Sequence, residues 1–133
     1  MKILFATSEA LPFAMSGGLA DVSGALPKAL RRRLVGCRVV MPLYSSISPE
    51  LREKMTFIAN ITVSVSWRRQ YCGIFEAHAD GVIYYFIDNE YYFKRDTLYG
   101  YYDDAERYAF FARAVLEIIP YIGFTPDIIH CND

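Results

Sequence analysis

The amino-acid sequence predicts an α/β domain on a doubly wound, mainly parallel sheet with extra mixed or antiparallel strands. Three observations point there. A short apolar run, a helical pattern and a second apolar run follow one another over residues 2–44. That is a β-α-β unit, the building block of a parallel sheet. Residues 56–88 alternate apolar and polar side chains across turn signals, the pattern of half-buried strands. One long helical pattern and one last apolar run complete the chain.

The elements follow in order. "KILFAT" is short, apolar and ends in polar residues, so it reads as a buried strand. Leu19, Val22, Leu26, Leu30 and Leu34 recur at helical spacing and are expected on the buried face of a helix. Lys28 and the run Arg31, Arg32, Arg33 suit the negative end of its dipole. Pro27 is expected to kink this helix and Gly36 to end it. "CRVVMPLY" is the second strand. Residues 56–66, 71–79 and 82–88 read as three more, turning at Arg68-Arg69 and Asp80-Gly81. "DDAERYAFFARAVLEII" is a helix that Asp103 or Asp104 can cap. Tyr108, Phe111, Ala112, Val115, Leu116 and Ile119 are expected to form its buried face. "PDIIHCND" supplies the final strand. The chain stops at Asp133, where a strand should feed its loop, and a doubly wound sheet ordinarily continues past that point. A fragment of a longer protein is the expectation.

Composition narrows the function classes. Hydrophobic residues make up 53% of the 133, enough for one domain with a real core. The net charge of −1 and the lack of a basic block outside Arg31–Arg33 argue against nucleic acid as a partner. No stretch is apolar for long enough to span a bilayer, and the first apolar run is broken too soon for a signal peptide. Cys37, Cys72 and Cys131 are far apart and odd in number, which suggests neither zinc nor a disulfide framework. A cytoplasmic setting is the simplest expectation.

Ligands of open parallel sheets bind at the carboxyl ends of strands. Here those ends lead into Glu9–Gly18, into Asp88 and the aromatic stretch to Tyr102, and into Asn132 and Asp133. Gly17-Gly18 fits an anion site, because glycines let backbone N–H groups approach a phosphate at a helix start. It is neither GxGxxG nor a P-loop, and a plain strand-to-helix turn explains it equally. Asp21 falls in the first turn, where it either complements the dipole or bonds a sugar hydroxyl. His130 reads as a buried, satisfied histidine and His78 as sitting on a strand edge. The segment "DNEYYFKRDTLYGYYDDAERY" mixes flat rings with charges, as carbohydrate sites do. One or two of its rings are expected to face a ligand and the rest to pack.

Taken together, "SEALPFAMSGGLADVSGALPKAL", "RVVMPLYSSI", "YYFIDNEYYFKRDTLYGYYDDAERYAFFARAVLE" and "PDIIHCND" resemble, in order, the amino-terminal domain of bacterial glycogen synthases. Plant starch synthases are similar. The resemblance implies a GT-B glycosyltransferase of two Rossmann-like domains, of which this chain would be the first. It implies retaining transfer of glucose from ADP-glucose to the non-reducing end of an α-1,4-glucan. No cofactor is implied beyond that donor substrate. Most of the nucleotide site and the main catalytic groups would lie in the second domain, so the isolated chain is expected to be inactive.

By position, the resemblance assigns Gly17, Gly18 and Asp21 to donor binding, and Glu9, Tyr99 and Asp133 to substrate binding. No residue of the chain is assigned as catalytic and none as a metal ligand. The family's loop reads Lys-x-Gly-Gly-Leu, whereas this chain reads Met15-Ser16-Gly17-Gly18-Leu19. That lysine is expected to meet donor phosphate as a point charge, which methionine cannot supply. Three readings of Met15 stand side by side: a variant with weakened donor binding, a paralogue that binds glucan without efficient synthesis, and an engineered change. A non-catalytic glucan-binding domain is the alternative function. A dehydrogenase or flavodoxin-like carrier is disfavoured by the missing GxGxxG and the mixed strands.

Overall fold

The computed structural model describes residues 1–133. Its strands are β1 (Lys2–Thr7), β2 (Gly36–Pro42), β3 (Thr56–Val65), β4 (Arg68–Ala79), β5 (Val82–Asp88) and β6 (Ile128–Asn132). They form one sheet in the order β3-β4-β5-β2-β1-β6. β1 lies between β2 and β6 and is parallel to both, and β5 is parallel to β2. β4 is antiparallel to β3 and to β5. The sheet is therefore mainly parallel with an added antiparallel edge, as the sequence pattern indicates.

The helices are α1 (Gly18–Arg32), α2 (Pro49–Glu53), α3 (Glu90–Phe93) and α4 (Asp104–Glu117). From β1 the chain steps through α1 to β2 on one side. From β5 it steps through α3 and α4 to β6 on the other side of β1. The direction of winding thus reverses at β1, and a crevice opens where the carboxyl ends of β1 and β6 diverge. Leu4, Phe5, Val39, Val40, Met41, Tyr84, Tyr85, Phe86 and Ile87 are all completely buried. Consecutive buried residues mean that both faces of the central strands are covered.

Several local expectations are corrected. The buried residues of α1 are Ala20, Ser23, Gly24 and Pro27, not the leucines. Val22 is exposed, and Leu26 and Leu30 are only half-buried. The cause is the preceding loop, which is wedged against the helix. A Cβ on Gly24 would lie 3.1 Å from the Leu11 carbonyl oxygen, and the Leu11 N–H donates to Ala20 O at 3.2 Å. Only small residues permit that approach. Pro27 sits inside an unbroken helical segment.

Gly36 does not end α1 but begins β2. The helix ends in a Schellman arrangement, with Val35 N–H donating to Leu30 O and Leu34 N–H to Arg31 O. Leu34 occupies the left-handed position at φ 63 and is 95% exposed.

The first hairpin turns at Ser66-Trp67, not at Arg68-Arg69, which already pair with Val65 and Ser64. The second does turn at Asp80-Gly81, where both residues have positive φ, as a tight hairpin needs. α2 was not anticipated, although Ser48 caps it through Leu51 N–H and Pro49 starts it. The inward face of α4 is Arg107, Phe110, Phe111, Ala114 and Val115. Ala112 and Leu116 are exposed and Tyr108 and Ile119 half-buried, so the true face is rotated from the expected one. Asp103 stands at the N-cap without capping by its side chain, which instead pairs with Arg95 at 2.9 Å. His130 is exposed, stacked on Phe5 at 4.6 Å. His78 lies on β4, which is flanked on both sides, and its side chain is exposed beside Glu76.

A left-handed conformation costs a non-glycine residue about 1–2 kcal/mol, partly offset by the greater freedom of glycine when unfolded. Leu34→Gly is expected to stabilise the chain by about 0.5–1 kcal/mol. A urea midpoint that falls or stays constant would contradict that account of the helix end.

Candidate active site

The crevice at the end of β1 and β6 holds a cavity of about 730 Å³. Five of the residues singled out from the sequence line it together: Glu9, Gly17, Gly18, Tyr99 and Asp133. Met15 and Asp21 stand outside the lining, both exposed. The remaining wall is contributed by Ala6, Thr7 and Ser8 at the end of β1, by Ser16 and Leu19, by Tyr108, Phe111, Ala112, Val115 and Leu116 of α4, and by Ile129, Cys131 and Asn132 of β6. One side of the cavity is therefore polar and one apolar. This is also why the sequence misplaced the face of α4: the period caught side chains that face the cavity along with those that face the sheet.

Glu9 organises the polar side. It is 1% exposed, and its carboxylate accepts from four donors. These are Ser16 N–H at 3.3 Å, Ser16 O–H at 2.6 Å, Gly17 N–H at 3.2 Å and Tyr99 O–H at 2.8 Å. Burial pushes the Glu9 pKa up, but the bonds from Ser16, Tyr99 and Gly17 outweigh it and hold the carboxyl below its ordinary value. The Ser8 hydroxyl completes the line, meeting the Tyr99 oxygen at 2.6 Å. Tyr99 has one hydrogen, and it goes to the carboxylate. Ser8 is therefore the donor in their contact.

A second polar chain ties the strand ends to α1. Asn132 Nδ2 donates to Ser23 Oγ at 3.2 Å, Ser23 Oγ lies 2.9 Å from Thr7 Oγ1, and Thr7 Oγ1 donates to the Glu9 carbonyl at 2.8 Å. Ser23 and Thr7 are buried. The ends of β1 and β6 are thereby fixed against one turn of the helix. Nothing in the sequence spacing announces this tie, because lone serines and threonines are uninformative.

Gly17 and Gly18 have no structural need to be glycine. Gly17 is extended backbone at φ −170, and Gly18 is absent from the positive-φ residues. A Cβ at either would meet nothing within 4 Å. The amides of Gly18 and Leu19, at the start of a helix of 15 residues, donate to no acceptor in the chain. Two unpaired N–H groups at the positive end of a helix, with bare Cα atoms beside them, open onto the cavity, an arrangement chemically able to take an anion. No Lys, Arg or His lines the cavity; its charged side chains are Glu9 and Asp133.

Glu9→Gln replaces a charged acceptor by a neutral amide. Hydrogen bonds to a charged group contribute about 1.5–3 kcal/mol, and a loss of about 2 kcal/mol at pH 7 is expected. Because the native pKa is lowered, the stabilisation is complete above the ordinary carboxylate value of 4.5. It disappears as pH falls through the lowered native value. Urea unfolding from pH 7 to pH 3 is expected to show this acid-side loss in the parent chain and a smaller one in the variant. Equal slopes would contradict the clamp.

Residues 2–133 match the family described as starch synthase catalytic domain. The chain is 64% identical over 133 residues to the glycogen synthase of Geobacillus thermodenitrificans (strain NG80-2), covering 100% of this chain and 27% of that protein. It is 56% identical over 133 residues to the glycogen synthase of Anoxybacillus flavithermus (strain DSM 21510 / WK1), covering 100% of this chain and 28% of that protein. Its fold superposes on the catalytic domain of starch synthase IV from Arabidopsis thaliana bound to ADP and acarbose. The TM-score is 0.88 at 28% identity, covering 98% of this chain and 27% of that one. The chain thus spans just over a quarter of the length of these relatives. It is a member of the glycogen and starch synthase family and matches part of that family's catalytic domain.

Proposed function

We propose that this chain is the amino-terminal, Rossmann-like domain of an ADP-glucose-dependent glycogen synthase. The complete enzyme would transfer glucose, with retention, to the non-reducing end of an α-1,4-glucan. The observation that carries this reading is Gly17-Gly18. Neither backbone conformation nor packing requires these glycines, and both open onto a cavity at the switch point of the sheet. Room for a ligand is what remains to explain them.

In this reading the Gly18 and Leu19 amides face the donor diphosphate. Glu9 holds the loop that presents them, and Tyr99 holds Glu9. Asn132 and Asp133, at the mouth of β6, offer acceptors and donors to sugar hydroxyls. Asp21 complements the helix dipole from the first turn. The cavity brings no cation of its own, so the charge on the phosphates has to be met from a second domain. That is why one domain alone would not transfer glucose. The apolar wall of α4 suits closure by that second domain, with water excluded. The three unpaired thiols fit a cytoplasmic protein. The partners proposed are ADP-glucose, glucan and the second domain, without nucleic acid or membrane. A non-catalytic glucan-binding role rests on the aromatic segment and on Met15 in place of lysine, and is not favoured beside synthase relatives that match the whole chain.

Calorimetric titration of the complete synthase with ADP-glucose tests the reading. Gly18→Ala is expected to fold as well as the parent, since its methyl group meets no protein atom, and to bind the donor about tenfold or more weakly. Met15→Lys is expected to bind about tenfold more tightly, the worth of one charged hydrogen bond of about 1.5 kcal/mol. If both variants bind like the parent, the loop is not the donor phosphate site and the assignment of Gly17 and Gly18 falls.

A further inference from the structure

We propose that Tyr44 and Tyr108 are positioning residues of the donor site, acting through Ser8 on the Tyr99–Glu9 clamp that shapes the glycine loop. The proposal rests on the reading above, and nothing in the sequence or the family match assigns these two residues.

The geometry is a chain of hydroxyls that joins Tyr108, on the cavity wall, to Tyr44 behind Ser8. Tyr44 is 1% exposed. Its hydroxyl lies 2.6 Å from the Ser8 carbonyl oxygen and 2.8 Å from the Tyr108 hydroxyl. The Tyr108 hydroxyl in turn lies 2.7 Å from the Leu98 carbonyl oxygen. Burial pushes the Tyr44, Tyr99 and Tyr108 phenols upward in pKa, so all three keep their hydrogens at neutral pH.

Counting hydrogens gives the chain a direction. Tyr44 and Tyr108 carry one hydroxyl hydrogen each, yet they make three contacts at hydrogen-bond distance. One contact therefore has to go without. Leu98 O has a second donor, Arg107 Nη1 at 2.9 Å, whereas Ser8 O has no donor other than Tyr44. Tyr44 therefore gives its hydrogen to the Ser8 carbonyl, with the Tyr108 hydroxyl packed against the Tyr44 oxygen. Turning the Tyr44 hydrogen to Tyr108 instead would leave the Ser8 carbonyl without a donor.

Ser8 is the hinge of the device. Its carbonyl is held from behind by Tyr44, and its side chain donates to Tyr99, which donates to Glu9. Glu9 then holds Ser16 and Gly17. Removing the Tyr44 hydroxyl frees Ser8 at the start of this line and loosens the loop at its end. None of these atoms is placed to react, so the effect falls on donor binding and not on the chemical step.

The test is steady-state kinetics of the complete synthase with Tyr44→Phe, Tyr108→Phe, Gly18→Ala and Tyr84→Phe. Tyr84 is a control of the same kind: it is fully buried and its hydroxyl has no partner. Tyr44→Phe is expected to raise KM for ADP-glucose about threefold to tenfold, with kcat and the KM for glucan within about twofold. Tyr108→Phe is expected to do the same more weakly, and Tyr84→Phe to change neither constant. A Tyr44→Phe enzyme that melts earlier but keeps its KM for ADP-glucose shows a merely structural role and overturns the proposal. If Tyr44→Phe does not fold, Tyr108→Phe carries the same test. An unchanged KM in Gly18→Ala overturns the donor-site reading, and this proposal with it. A raised KM in Gly18→Ala beside an unchanged one in both tyrosine variants overturns this proposal alone.

Discussion

The site depends on the burial of one carboxylate. A buried, unpaired charge is costly, and the chain can keep Glu9 ionised only by surrounding it with donors. Three of those donors are the two amides and one hydroxyl of Ser16 and Gly17, in the loop before α1. The fourth belongs to Tyr99, which is 90 residues away along the chain. Satisfying Glu9 therefore folds the loop back onto the end of β1. It also draws the aromatic segment across the sheet to meet it. The glycine pair is left facing outward because the amide of Gly17 is already engaged and those of Gly18 and Leu19 are not.

Behind the aromatic segment a second buried charge does similar work. Arg107 is 0% exposed. It donates to the carbonyls of Tyr92 at 2.6 Å and Leu98 at 2.9 Å and to Asp104 at 2.9 Å. The rings of Tyr101 and Tyr108 lie 5.0 and 5.3 Å from its guanidinium carbon. The segment between α3 and α4 has little regular structure, yet its carbonyls are fixed from a helix beneath it. Tyr99 can then be rigid while sitting on a loop.

Much of this was legible in the sequence, for identifiable reasons. Parallel strands buried on both faces leave apolar runs, and β1 and β2 show them. Asp80-Gly81 marked its turn because positive φ demands such residues. The reading failed where packing overrode periodicity. Leucines on α1 looked inward-facing, but a loop pressed against the helix admits only Ala20, Ser23 and Gly24. Arg107 was passed over because arginines are rarely buried. Strand ends pointed to Glu9, Gly17, Gly18 and Asp133 and to the segment that holds Tyr99, resemblance assigned their roles, and the structure brings all five to one cavity. Tyr44 gave no signal at all: its partners are a carbonyl and a hydroxyl far away in the sequence.

The two-sided wall of the cavity has a thermodynamic consequence. Ala112, Leu116 and Ile129 present apolar surface to solvent beside the polar side of the cavity. Closing that wall removes apolar area from water and lowers the heat capacity of the system, while engaging the polar side is chiefly enthalpic. The two sides of the cavity would therefore respond differently to temperature. A surface that covered the apolar half would be held relatively more firmly on warming across the ambient range, as hydrophobic association is, while contacts to the polar half would not gain in the same way.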